Sequence, residues 1–371
     1  MAGNANLGAA KAAKNDEFYT QWNDIENEMR AYLEYDPDVF RDKVILLPCD
    51  DPGVSNFTKY FTLNFENFGL KKLISTSYAP ASNPTVAKHG QALLNFELGE
   101  DQDEKFNEED TWNRGRIYVL ERGVDLNEDG VLNKDDLKWD YLEGDGDFRS
   151  EEVTALRDEA DMVITNPPFS LFREFMAWLQ EGGVEFSIIG NMNAFTYKEI
   201  FPLIKDNHTW VGANGIKPMT YRVPDVGDVL DSQYYADGVR YQKMGNTCWF
   251  TNIQHGRRRE PLQLMSIEDN LIYGSKRVRE TSYPKYDNYD AIEVPENKGI
   301  PSDYAGVMGV PISFLGVYCP EQFEIVGISG DLANPLYVDG KKKSGRFYVS
   351  GKRLYDRIAI RHRNPETKKE S

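Results

Sequence analysis

From Trp22 to Tyr35, Ile25, Met29, Tyr32 and Leu33 recur at helical spacing, so the segment predicts an amphipathic helix. The pattern then changes to an unbroken apolar run, Lys43-Val44-Ile45-Leu46-Leu47, of the kind found in strands buried on both faces. Pro48-Cys49-Asp50-Asp51-Pro52-Gly53 is dense in turn residues. Ser55 or Asn56 can then cap a helix that carries Phe57, Tyr60, Phe61, Phe65 and Phe68 and ends at Gly69. Leu73-Ile74 starts the next strand. Residues 79–140 break this rhythm; they are polar, acidic and uneven, and read as an insert with little core of its own. Strand and helix resume at Asp161-Met162-Val163-Ile164-Thr165, at Leu171 to Leu179 and at Glu185 to Gly190. After about Lys205 the pattern holds only short β-like runs, such as Cys248 to Ile253. The expectation is an α/β fold with a doubly wound sheet over 1–204, followed by a smaller, β-rich region over 205–371.

The 371 residues suffice for two domains, and 40% apolar content supports a sizeable core. No stretch approaches the ~18–20 uninterrupted apolar residues that a membrane span needs, and Met1 to Lys14 has no apolar signal core. Cys49, Cys248 and Cys319 lie far apart, which excludes a disulfide scaffold and suits a reducing cytoplasm. The net charge of −17 argues against a nucleic-acid partner until its distribution is seen. Between Glu100 and Asp161 there are 22 acidic and 8 basic residues, and the remaining 309 residues carry only −3. From Asp339 onward, 11 Lys and Arg stand against 4 Asp and Glu. A near-neutral body with a basic end remains compatible with DNA binding.

The sharpest chemical signal is Asn166-Pro167-Pro168-Phe169, directly after the strand that ends at Thr165. Open α/β sheets bind ligands at strand C-termini, so the position suits a site. An exocyclic amino nitrogen is a poor nucleophile because its lone pair is delocalised. The amide oxygen of Asn166 and the carbonyl of Pro167 can each accept one of its N–H bonds. That draws the nitrogen toward tetrahedral geometry and stabilises positive charge as it attacks a methyl group. The prolines stiffen the loop, and Phe169 offers a face for a planar base. The motif by itself fits adenine in DNA, guanine in RNA or glutamine in a protein.

The surrounding blocks narrow the choice. The chain resembles the EcoRI-type adenine-N6 DNA methyltransferases over nearly its full length outside the acidic insert. The resemblance is carried by Asp16-Glu17-Phe18-Tyr19-Thr20-Gln21, by Cys49-Asp50-Asp51-Pro52 with Ser55-Asn56-Phe57, and by Gly144 to Ser150. It continues through Thr165 to Phe172, Ile189-Gly190-Asn191, Gly306 to Pro311 and Gln322 to Ile325. It implies a Rossmann-like S-adenosylmethionine-dependent methyltransferase domain with a C-terminal target-recognition region. It further implies that Phe18, Tyr19 and Thr20 contact the cofactor and that Asp50, Asp51 and Pro52, with Ser55 and Asn56, cradle its methionine end. Asp147 and Phe148 correspond to the pair that holds the cofactor's adenine. Two departures stand out: the first loop lacks a glycine-rich run, and the strand ending near Ser77-Tyr78 lacks the acidic residue that commonly binds ribose. Asp50 or Asp51 is the candidate replacement.

Two further patterns stand apart from that core. Asp125, Asn127, Asp129, Val131 (by its carbonyl), Asn133 and Asp136 have the spacing of a calcium loop, with Gly130 at the sharp turn and Asp instead of Glu at the last position, so the insert holds either a structural calcium ion or a solvated acidic turn. Arg257, Arg258 and Arg259, with Lys276, Arg277 and Arg279, are candidates for phosphate contacts near Trp249 and Phe250. The expected partner is double-stranded DNA, for a cytoplasmic monomer with no membrane that either serves a cognate restriction endonuclease or is a solitary or phage-borne methylase. The competing readings are a methyltransferase of protein glutamine or RNA and a catalytically inactive DNA-binding relative.

Overall fold

The structure is a computed structural model that describes residues 19–51, 55–82, 103–126, 128, 130–223, 225, 229–338, 341–343 and 345–366. It divides into two compact units, one comprising the chain to Met192 with Gly212–Ile253, the other Asn193–Val211 with the chain from Gln254 onward. The sequence predicts one boundary at 204, but the units interleave, because Gly212–Ile253 belongs with the first.

That first unit is an α/β body built on one large mixed sheet. β1 (Tyr19–Thr20) leads into α1 (Trp22–Tyr35), whose Ile25, Met29 and Tyr32 are buried as the helical spacing requires. β2 (Val44–Leu47) is buried at every residue. The Ser55 hydroxyl accepts from the amide of Phe57 and caps α2 (Asn56–Leu63). A further turn, Phe65–Phe68, ends at Gly69, whose φ of +63° suits glycine. β3 (Lys72–Thr76), β4 (Arg116–Glu121), β5 (Lys138–Tyr141), α3 (Glu151–Glu159), β6 (Met162–Thr165), α4 (Phe172–Gly182) and β7 (Glu185–Asn191) follow. After β8 (Trp210–Val211), which falls in the second unit, the first resumes with β9 (Met219–Arg222), β10 (Gln233–Ala236), β11 (Val239–Met244) and β12 (Thr247–Thr251).

Within this unit the main sheet runs β5-β4-β3-β2-β6-β7-β12. β3, β2, β6 and β7 are parallel, whereas β4, β5 and β12 are antiparallel additions at the flanks. Two of these additions correct the sequence reading. The insert contributes β4, where Arg116, Tyr118 and Leu120 are buried alternately and extend the sheet beside β3. Its period-two pattern is obscured by the acidic residues around it. β12 is buried throughout and pairs with β7, so the Cys248 run closes the main sheet. A second, four-stranded sheet has the order β1-β9-β11-β10.

The second unit is β-rich. Its sheet joins β13 (Ile292–Glu293), β14 (Met308–Pro311), β20 (Arg357–His362) and β15 (Phe323–Ile328), in that order, around buried Met308, Val310, Phe323, Ile358 and Ile360. Arg357 and Glu293 form a buried ion pair of 2.7 Å across it. Two small ribbons, β16 (Leu336–Val338) with β17 (Lys341–Lys343) and β18 (Tyr348–Val349) with β19 (Lys352–Arg353), complete the strands. Among the described residues, no helix is long and apolar enough to cross a membrane.

Candidate active site

β2 and β6 lie side by side, yet the chain leaves them toward opposite flanks: β2 is followed by β3 on one side, β6 by β7 on the other. Such a reversal opens a crevice beyond the strand C-termini, because the flanking connections diverge. The loop after β2 brings Asp50 and Asp51 to this place, and the loop after β6 brings Asn166 to Phe169.

Asp50 ties the crevice together. Its carboxylate accepts from the Ser55 hydroxyl at 2.7 Å and from the Thr165 hydroxyl at 2.6 Å. Its amide donates to the Thr76 carbonyl at 3.0 Å, and its own carbonyl accepts from the hydroxyls of Ser75 and Thr58. One residue thereby joins the start of α2 and the ends of β3 and β6. Only 5% of its surface is exposed. Burial pushes its acid up to about 6, against the opposing effect of the Ser55 and Thr165 hydrogen bonds, with the negative Asp51 adding to the rise. Asp51 instead faces Arg116 of β4 at 2.5 Å, an ion pair largely shielded on the arginine side.

Thr165 is the last residue before the Asn-Pro-Pro-Phe loop, so the bond to Asp50 fixes where that loop begins. The amide oxygen of Asn166 is buried, Pro167 is buried, and Pro168 and Phe169 are half-buried. Pro168 holds an extended backbone (φ −56°, ψ 121°) before the turn Phe169–Leu171 and α4. The Phe169 ring meets Tyr221 edge-on, with centroids 6.4 Å apart. Tyr221 of β9 stands opposite Thr20 of β1. The Asn56 side-chain amide donates to the Thr20 carbonyl at 2.7 Å. The structure thus gathers Tyr19, Thr20, Asp50, Asp51, Ser55, Asn56 and Asn166–Phe169, drawn from four separated segments. Phe18 and Pro52 lie outside the described residues.

Asp147 and Phe148 lie between β5 and α3. The Asp147 carboxylate accepts from the backbone amide and guanidinium of Arg149, which hold its acid below the usual carboxylate range. Phe148 is buried, edge-on to Phe175 and Trp178. Gly115 and Gly146 pack so closely on the Ser77 carbonyl that a Cβ on either would lie within 3 Å of it.

The structure also brings in residues the sequence reading does not single out. Arg116 neutralises Asp51 from β4. Glu28 of α1 is fully buried and accepts from the amides of Ala213 and Asn214 and from the Tyr32 hydroxyl, at 2.7–2.8 Å. Burial raises its acid, and the amide bonds oppose that rise. Its signal is in the sequence: helical spacing puts Glu28 on the same face as Ile25 and Tyr32.

Calcium binding is not supported. Asp136 is buried and accepts from the amides of Leu126 and Asn133, while Asp125 accepts from Gly130 and Asn133 accepts from Asp135. The expected ligands therefore serve the backbone of their own turn, as Asx residues commonly do. Asn127 and Asp129 lie outside the described residues, and among those described no group of three or more His, Cys, Asp or Glu could hold a metal.

The basic candidates are dispersed in role. Arg258 is buried, bonded to Asn207 at 2.5 Å, with its guanidinium 3.9 Å above the Trp210 ring. Arg259 pairs with Glu321 at 2.7 Å and Lys276 with Glu280 at 3.7 Å. Arg257, Arg277 and Arg279 are on the surface.

A loop at the switch point with a buried amide oxygen on Asn166 and the Phe169 ring edge-on to Tyr221 suits a methyltransferase of amino nitrogens. The chain belongs to the EcoRI family of adenine-specific methyltransferases, which it matches over residues 6–363. It is 41% identical to the Type II methyltransferase M.EcoRI of Escherichia coli over 95% of this chain and 99% of that protein. Identity is 32% to the Type II methyltransferase M.MpnI of Mycoplasma pneumoniae and 33% to M.MgeORF184P of Mycoplasma genitalium, each over 95% of this chain and 97% of the relative. No solved structure matches the chain at a comparable significance. The family assignment sets the glutamine alternative aside, and a methyltransferase of this family draws its methyl group from S-adenosylmethionine.

Proposed function

We propose that the protein methylates N6 of an adenine within a specific sequence of duplex DNA, with the first unit as its catalytic body and the second as its target-recognition region. The reading includes a Rossmann-like treatment of the sheet, in which the β2–β6 switch point receives the cofactor. The observation that carries it is the Asn166–Phe169 loop, anchored through Thr165 to Asp50 at that switch point.

The residues present suit S-adenosylmethionine. Among the described residues the Thr20 hydroxyl is buried without a partner, beside the Asn56 amide that fixes its backbone. A buried orphan hydroxyl is costly unless a ligand satisfies it. Tyr19, Thr20 and Asn56 would hold the cofactor on that side, and Asp51 and Asp147 offer carboxylates toward its polar groups. When bound, the cofactor supplies an electrophilic methyl group on a sulfonium.

The chain's own groups do the rest. A target base inside a duplex is inaccessible, so it must leave the stack to reach the crevice. Phe169, braced edge-on by Tyr221, receives its face. Asn166 and the Pro167 carbonyl accept the two N6–H bonds, turning the nitrogen lone pair out of the ring system. These acceptors act most strongly as positive charge develops, which is where they lower the barrier. The relatives are named Type II methyltransferases, which supports a cognate endonuclease as a functional partner. A cytoplasmic monomer completes the reading.

The test is expression in a methylation-free host, followed by sequencing for modified adenine, beside Asn166→Ala. Wild-type protein should mark one sequence context. The variant should lose 10²–10³-fold or more in single-turnover rate, with much smaller changes in DNA and cofactor affinity, an order of magnitude taken from deletions of preorganised polar groups. An Asn166→Ala protein that methylates at the wild-type rate refutes the pocket. Methylation confined to RNA, or cofactor binding without transfer, favours the alternatives.

A further inference from the structure

The basic end of the chain forms two ribbons that belong to no larger sheet among the described residues. In the first, Leu336 pairs with Lys343, Tyr337 with Lys342 and Val338 with Lys341. In the second, Tyr348 pairs with Arg353 and Val349 with Lys352. Lys341, Lys342, Lys352 and Arg353 are exposed and Lys343 is half-buried. Tyr337 is 71% exposed, and Tyr355, just past the second ribbon, 88%.

Neighbouring cations are committed to the fold. Arg346 pairs with Asp356 at 3.0 Å, Arg357 with Glu293 at 2.7 Å, and Arg361 with Glu324 at 3.5 Å. Among the described residues, the five ribbon cations have no such ion pair. They sit within 13 residues, 341–353, that contain no Asp or Glu.

We propose that these ribbons are a docking surface for the sugar–phosphate backbone of duplex DNA, an inference that rests on the DNA reading above. Three features select that partner. Five cations close in sequence, with no ion pair among the described residues, complement a polyanion, which releases its counterions on contact. Four of the five are lysines, mobile point charges suited to phosphate; bidentate base recognition favours arginine. A two-stranded ribbon also has the width that the major groove admits. Residues directly opposite in an antiparallel pair share a face, so Tyr337 and Lys342 stand together. That places an aromatic hydroxyl and an ammonium side by side for phosphate and sugar contacts. The ribbons therefore set affinity and orientation, and base choice lies elsewhere.

The experiment measures duplex affinity against salt for the wild type, for Lys341→Gln/Lys342→Gln/Lys343→Gln, and for Lys352→Gln/Arg353→Gln. Each phosphate contact contributes about 0.9 to the log–log slope. The triple variant should flatten the slope by about 2.7 and the double variant by about 1.8. Between 50 and 200 mM salt, the wild type should thus lose roughly 40-fold more affinity than the triple variant. Melting temperature, S-adenosylmethionine titration and the methylated sequence context should not change. Slopes equal to the wild type's in both variants overturn the assignment while leaving the enzyme's reading intact. A wild type with no salt-dependent duplex binding overturns both. A changed methylation context with an unchanged slope moves the ribbons from backbone to base contact, and refutes the proposal.

Discussion

Asp50→Asn is the most informative single change in the crevice. The native carboxylate joins Ser55 and Thr165, and an asparagine can keep both links: its oxygen accepts from one hydroxyl and its amide donates to the other, which can rotate. The charge is all that is lost. The acid is raised from its ordinary 3.8 to about 6, mainly by burial. At about 1.36 kcal/mol per pH unit, ionising it in the folded protein costs about 3 kcal/mol once both states are deprotonated. The sign follows directly. The unfolded chain gives up its proton first, so the wild type loses stability as pH rises from below 3.8 through about 6. Between pH 5 and 7.5 the loss is on the order of 1 kcal/mol. Denaturant unfolding of wild type and variant, without ligand, at pH 5, 6 and 7.5 measures it, because all other titrating groups are common to the pair. The variant should gain on the wild type by that amount across the range. A difference that stays flat, or shrinks as pH rises, refutes a buried, desolvated Asp50.

Phe169→Ala should weaken capture of the extruded base and raise KM for DNA, whereas Phe169→Trp should retain part of the activity through stacking; steady-state and single-turnover kinetics separate the two. Gly190→Ala should destabilise by about 1–3 kcal/mol, because a Cβ there would come within 2.3 Å of the Phe172 ring. Thermal and denaturant unfolding check it, and a variant of wild-type stability would show that α4 can shift away from β7.

The parallel half of the sheet is legible because its strands are continuous apolar runs, and the position of the Asn166–Phe169 loop because it directly follows one of them. The antiparallel flanks are not. β4 alternates buried and half-buried residues, and its buried Arg116 breaks the apolar pattern by which a strand would be recognised. β12 is apolar enough to read as a strand, but nothing local says that it pairs with β7 across a long stretch of chain. The calcium spacing misleads because oxygen side chains that build a turn and those that hold a cation share one pattern. Likewise, three consecutive arginines look like a patch, whereas Arg258 points inward to Trp210. Composition reports charge, and only the fold reports which charges are already committed.

Two carboxylates buried in the first unit show what this division of labour requires. Each joins segments far apart in sequence: Glu28 links α1 to Ala213 and Asn214, and Asp50 links the β2 loop to α2 and β6. Both acids are raised by burial, so neither is a device for stability at neutral pH. What they contribute is position. Apolar contacts would hold the same segments with more freedom to slide, since dispersion has little direction; a carboxylate with two aimed donors fixes distance and orientation together. Methyl transfer demands that fixity. In the proposed mechanism, acceptors on Asn166 and Pro167 would lower the barrier only from where the nitrogen becomes tetrahedral, and a small displacement would forfeit much of the rate. Asp50 stands one residue from that loop through Thr165, so the burial that raises its acid coincides with the bond that fixes where the proposed catalytic loop begins.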